Sequence, residues 1–272
     1  MRLIDCFMYF DEDLMLDLRL NILNNFVNKF VIVESKTDHS GNSKKLNFNS
    51  KNFKKFNDKI EYLVIDTLPT KRKIFSSSWR NHPSWLRENF QRNYLYEGYK
   101  NENENDLIMI SDIDEIPDPK KLANFNLKNK YACFVQKNFQ QKLNLLNTTQ
   151  PNWYGTKICI KKFLKSPQWL RDIKMKKSFW KIYKPNPPQL IFDGGWHFSF
   201  VKNSKNISNK IKSYAHQEYN EDKFHNINSI DDKISQNKDI LERNFNYKKI
   251  ELDNTYPDFI LNNKETLKEW IL

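Results

Sequence analysis

The sequence predicts an α/β fold, a mixed sheet with helices on its faces, from three observations. Buried-strand and helical hydrophobic patterns alternate through the first 116 residues, as they do where a parallel sheet is built from strand–helix–strand units. The apolar run Leu107-Ile108-Met109-Ile110 stops abruptly in Ser111-Asp112-Ile113-Asp114-Glu115-Ile116-Pro117, the mark of a buried strand delivering polar groups at its carboxyl end. Across 272 residues there are only 5 Gly and 10 Pro and no Ser/Gly-rich or Pro-rich linker, so residues 1–272 read as one domain.

Taken in order, residues 2 to 10 form a strand, and Asp11 to Asn25, with leucines at 14, 16, 18, 20 and 23, forms a helix buried on one face. Phe30-Val31-Ile32-Val33-Glu34 is a second buried strand, which completes a βαβ unit. Ser35 to Asn49 is polar and contains Gly41, a loop at the carboxyl end of that strand, and Ile60 to Ile65 is a third strand. Trp85 to Tyr99 is a helix carrying Arg87 and Arg92 and closing near Gly98. The second half departs from this alternation: Tyr131 to Val135 and the segment from Trp153 to Ile160 read as antiparallel strands.

Two segments carry the chemistry. Carboxylates two apart on an extended strand face opposite ways, but a turn starting at Ser111 lets Asp112 and Asp114 converge on one hard cation, with Pro117 ending the run. Asp-x-Asp also arises by chance on solvated loops, so the tripeptide alone does not settle its role. The second is Phe192-Asp193-Gly194-Gly195-Trp196-His197-Phe198-Ser199-Phe200. Two glycines admit a close backbone approach, the Trp196 ring suits stacking on a sugar or base, and His197 offers an imidazole ligand. A lone histidine among aromatics is more often a core residue.

Composition narrows the classes. The net charge is +12, pI about 9.3 and mean hydropathy -0.80, yet 14% aromatic residues argue against disorder. Lysines and arginines are scattered in small clusters such as Lys71-Arg72-Lys73 and Lys174-Met175-Lys176-Lys177, with acids between them. This reads as a solvated lysine-rich surface, with no nucleic acid as partner. Cys6, Cys133 and Cys159 are widely spaced in apolar segments, which predicts buried free thiols and a reducing compartment. No signal-peptide pattern and no apolar stretch of membrane-spanning length is present, so the expectation is a cytoplasmic protein without a transmembrane segment.

Asp5-Cys6-Phe7 with Leu18-Arg19-Leu20, Phe30 to Ser35 with the loop to Gly41, Ser111 to Pro117, and Gly195-Trp196-His197-Phe198-Ser199 followed by Ile207 and Lys210 occur in the order that resembles glycosyltransferase family 17. Tyr256-Pro257-Asp258-Phe259-Ile260-Leu261 resembles the family's closing element. The resemblance implies a GT-A type, Rossmann-like fold with the Asp-x-Asp motif at a strand terminus. It implies an inverting glycosyltransferase that moves N-acetylglucosamine, or a related sugar, from a UDP-sugar donor to a glycan, glycolipid or glycoprotein acceptor, with Mn2+ or Mg2+. On this reading Asp114, Asp112 and His197 are the metal candidates. Glu34, Arg92, Asp112, Trp196 and Lys210 are the donor-binding candidates, and Glu218, with Glu115 second, is the general base. The rival class is a basic nucleic-acid-binding or metal-dependent phosphoryl-transfer protein, favoured by the charge and the paired acids.

Overall fold

The computed structural model describes residues 1–69, 82–177, 180, 185–213, 219 and 221–272. In chain order the first half contains β1 (Leu3–Met8), α1 (Asp13–Leu23), β2 (Lys29–Ser35), β3 (Ile60–Ile65), α2 (Pro83–Tyr94), α3 (Tyr96–Tyr99), β4 (Leu107–Asp112) and β5 (Glu115–Pro117). The second half contains β6 (Tyr131–Gln140), β7 (Leu145–Asn147), β8 (Asn152–Ile160), α4 (Pro167–Asp172), β9 (Gln189–Ile191), β10 (Gly195–Ser199), α5 (Ser204–Ser213), α6 (Asp222–His225), α7 (Ile227–Ser235), β11 (Tyr247–Lys249) and α8 (Asp258–Asn262).

The expected α/β architecture is what is found. Among the described residues, eleven strands form one sheet with the order β11-β7-β6-β8-β4-β1-β2-β3, with β9 and β10 paired to β6 and β5 paired to β10. β3, β2, β1 and β4 are mutually parallel. β8 runs antiparallel to both β4 and β6, as the break in alternation predicted. The parallel half needs helices on both faces, and one apolar cluster joins Phe7, Phe30 and Ile32 to the leucines of α1. A second, on the opposite face, joins Ile4, Cys6, Val31 and Val33 to Leu95, Tyr99 and Leu170. A smaller cluster of Phe200, Ile207, Ile211, Phe224, Ile230 and Leu241 holds α5, α6 and α7 together. All three cysteines are buried and free. Among the described residues no helix is long and apolar enough to cross a membrane.

Two local expectations are corrected. The helix over Trp85 to Tyr99 breaks at Leu95 into α2 and α3. Gly98 is no helix terminator either: a Cβ there would lie 2.3 Å from Val31 Cγ1, so its role is close packing of α3 on β2. Gly195 does have the backbone that glycine allows, with φ +131, and a Cβ there would meet Ile116 O at 2.2 Å. Its absence lets β10 pair closely with β5.

The turn between β4 and β5 is set from beneath by Arg19. This arginine of α1 is wholly buried and forms a bidentate pair with Asp5 of β1, at 2.6 and 2.7 Å. The rest of its guanidinium donates to Ser111 Oγ and to the carbonyls of Glu115 (2.8 Å), Asp112 (3.3 Å) and Ile113 (3.4 Å). A planar fork with five donors satisfies several acceptors that the turn withdraws from the sheet ladder, which a lysine ammonium does not match. Removing one partner of a buried pair costs roughly 3–5 kcal/mol. Arg19→Met, which keeps bulk and strands Asp5, should therefore lower stability by about that amount in urea unfolding. Lys36→Ala, which removes an exposed partner of Asp66, should cost little. Equal losses in the two variants would show that the Asp5–Arg19 pair does not secure the sheet.

Candidate active site

A cavity of about 600 Å³ opens at the carboxyl ends of β1, β2 and β4, a size in the range of small-molecule sites. Met8 to Phe10 and Glu12 after β1, Thr37 to His39 after β2, Glu88, Gln91 and Arg92 on α2, and Asp112 to Asp114 after β4 form one side. Trp153, Arg171, His197, Ser199, Phe200 and Lys210 are among those on the other.

Asp114 lies at the centre, 7% exposed. Its Oδ2 is 3.4 Å from Lys210 Nζ and its Oδ1 3.9 Å from His197 Nε2. Asn138 fixes the histidine: its amide NH2 donates to Gln150 O, so its Oδ1 faces His197 Nδ1 at 3.0 Å and accepts that proton. Burial holds the imidazole below its ordinary pKa, against the pull of Asp114 and Glu115. His197 is thus neutral, and its unprotonated Nε2 looks toward a carboxylate oxygen. Its ring is stacked on Trp153, centroids 4.2 Å apart. Burial alone would depress the Lys210 ammonium, but Asp114 and Glu12 raise it, and it stays charged. Glu12 ties the same corner together: Lys202 is 3.1 Å away, Lys210 3.8 Å, and despite burial these lysines bring its carboxyl down to about 2.

Asp112 lines the same cavity with both carboxylate oxygens paired to arginines. One of its oxygens takes Arg92 NH2 at 3.0 Å and the other Arg171 NH2 at 3.2 Å. Burial would raise its carboxyl, but the two arginines hold it well below the usual carboxylate range. Arg92, buried on α2, is shared with Glu88 and Gln168. Among the described residues no cluster of three His, Cys, Asp or Glu side chains is spaced to hold a metal.

Three other sequence candidates do not line this cavity. Glu115 has no exposed surface and accepts four hydrogen bonds, from Trp153 Nε1, both terminal nitrogens of Arg171 and Asp112 N. With no proton-accepting position left, it orients the turn instead of serving as a base. Glu34 is likewise enclosed, accepting from Lys44, Tyr62 Oη and the backbone of Asn47 and Phe48. It pins the loop after β2 and does not line the cavity. Trp196 is 4% exposed and packs in the core, because it alternates with His197 along β10 and so points away from the cavity. Glu218 lies outside the described residues.

Sequence reasoning missed Arg171, Trp153 and Asn138. Arg171 sits in a single short helix with no motif around it, and its importance comes from distant partners, Glu115 and Asp112. Trp153 is legible only as the start of a strand; of Trp153 and Trp196, it is Trp153 that lines the cavity. Asn138 is 2% exposed in a strand that also carries Gln136, Lys137 and Gln140, so no single polar position stands out there in the sequence.

The chain was compared with known proteins. No curated protein matches it. A family model, Glycosyltransferase family 17, matches residues 1–253. The match spans β1, the Arg19-supported turn, β10 and Lys210, so every described residue of the cavity falls within it. The chain therefore belongs to glycosyltransferase family 17.

Proposed function

We propose that this glycosyltransferase moves N-acetylglucosamine, or a related sugar, from a UDP-sugar to a glycan acceptor with inversion, assisted by Mn2+ or Mg2+. The observation that carries the reading is the meeting of Asp114, His197 and Lys210 at the sheet rim. Oδ1 of Asp114 and Nε2 of His197 are both lone-pair donors, 3.9 Å apart and with no proton between them, an arrangement that a shared cation stabilises. Ions of this class need only one or two protein ligands where substrate phosphates and water complete the shell. Asp114 and His197 would hold the ion, and it would supply neutralisation of the charge that develops on the departing diphosphate. Asp112 is left out of the ligand set because both of its oxygens are engaged by arginines.

The chain's own residues perform the remaining work. Lys210, kept charged beside Asp114, binds the diphosphate. Arg92 and Arg171 add fixed positive charge behind Asp112. Trp153, held by Glu115 and stacked on His197, gives an apolar wall for a sugar ring. Glu218 removes the proton from the acceptor hydroxyl as its oxygen bonds to the anomeric carbon and the bond from that carbon to the UDP oxygen breaks. The support for Glu218 is its position in the chain, between Ser213 and Tyr219, both of which line the cavity.

Three outcomes test the reading. With Mn2+ present, the protein should slowly release UDP from UDP-N-acetylglucosamine, and Asp114→Ala should abolish this without changing the unfolding midpoint. Faster hydrolysis of a GDP-sugar, or full activity in Asp114→Ala, would sink the donor or the metal assignment respectively. Glu218→Gln should lower transfer by roughly a hundredfold or more while keeping UDP affinity and donor hydrolysis, because the base acts only as the acceptor attacks. Normal transfer by this variant would move the base elsewhere. For pH, the sign follows from His197: with its pKa depressed by burial, the imidazole stays neutral as pH falls through 6.5. Mn2+-dependent UDP release should then persist through that pH and fail only below it. An acid limb centred at or above 6.5 would show that burial does not hold the His197 imidazole below its ordinary range.

A further inference from the structure

A second cavity, of about 740 Å³, lies behind the first. Trp196 lines it while its neighbour His197 lines the catalytic cavity. Their partners on β6 repeat the alternation, Lys137 beside Trp196 and Asn138 beside His197. The two cavities are therefore on opposite faces of the same strands. One wall of the second, Asn254 to Phe259, lies past the matched span 1–253, and the rest of its lining lies within it.

The lining differs in kind from that of the first cavity. Its charged members are Asp118, Asp193 and Asp258 against Lys120, Lys121 and Lys137, a formal sum of zero in a chain of +12. Such a lining gives no net attraction for a nucleotide, a polyanion or an acidic peptide. It does offer many paired donors and acceptors: the amides of Asn25, Asn124 and Asn254 stand with these ions, and Asn25 and Asn254 are exposed. Aromatic rings complete it. Phe26, 46% exposed, and Phe259 of α8 both line it. Planar polar side chains around apolar ring faces, with balanced charge, suit a ligand that is uncharged, rich in hydroxyls, and apolar on the faces of its rings.

We infer that this cleft is a second carbohydrate-binding site, which holds a neutral oligosaccharide away from the site of transfer. A surface of this kind would retain a long glycan acceptor while its end is modified in the cavity on the other side. The inference is independent of the donor and metal assignments, since no residue of the second cleft belongs to the transfer site.

The test is ligand-observed NMR and calorimetry on the full chain saturated with UDP and Mn2+, using chitotetraose, mannotetraose and maltotetraose as probes. At least one should bind, and Phe26→Ala and Asn254→Ala should each weaken it about tenfold, near the worth of one ring or amide contact. Neither variant should change donor hydrolysis or the unfolding midpoint. Failure of all three neutral probes to bind overturns the site. So does binding that survives both substitutions, or that Asp114→Ala removes, since it would then belong to the catalytic cavity. Tighter binding of a sulfated tetrasaccharide than of any neutral one would overturn the ligand class. Loss of UDP-sugar hydrolysis alongside intact oligosaccharide binding would count against the proposed donor reaction and leave this inference standing.

Discussion

The buried Asp5–Arg19 pair is the constraint on which the site rests. A charged pair in the core is costly to desolvate and is a weak source of net stability. Its value here is geometric. The chain turns sharply after β4 and brings the carbonyls of Asp112, Ile113 and Glu115 together, and Glu115 O also accepts from Thr156 Oγ1 of β8. One guanidinium, fixed by Asp5 on the adjacent strand, reaches all three carbonyls. The turn is then shaped by α1, which packs on one face of the sheet, and by β1, whose side chains enter the apolar clusters on both faces. Asp114 is placed at the rim by a side chain that does not itself line the cavity.

A second layer of pairing works from above. Glu115 takes Arg171, Trp153 and a backbone amide, so a carboxylate that looks from the sequence like part of the reacting group is a fixture of the scaffold. Arg171 in turn is secured at its carbonyl end, where Lys157 Nζ donates to Arg171 O at 2.6 Å and to Ile173 O at 2.8 Å. Burial, together with the neighbouring Arg171 charge, depresses this lysine to about 8. The formal excess of positive charge thus reaches the cavity as a few arginines and lysines held in place by acids, instead of as a diffuse basic surface.

Much of the fold was legible because it depends on local periodicity. The buried runs Phe30 to Glu34 and Ile60 to Ile65 became β2 and β3, and the loss of alternation after Tyr131 became the antiparallel half. The part of the site on the parallel strands was legible for the same reason, since Asp112 and Asp114 end a strand. What could not be read was orientation across long distances. Whether Glu34 faces a ligand or a loop depends on Lys44, Asn47, Phe48 and Tyr62, and whether Trp196 or Trp153 faces the cavity depends on strand pairing. Arg92 was visible as a basic residue on a helix, but its sharing between Glu88 and Asp112 required the packing of α2 against β4's end.

β10 carries an evolutionary consequence. It is five residues long and wedged between β5 and β6, with His197 in register with Glu115 on one side and Asn138 on the other. Side chains on a strand alternate with period two, so gaining or losing a single residue here would turn His197 to the back and Trp196 to the front. Both faces would fail together. Drift in this segment is therefore confined to replacement of one side chain by another, while changes of length are expected to accumulate in the connections outside it, where no pair of faces depends on the count.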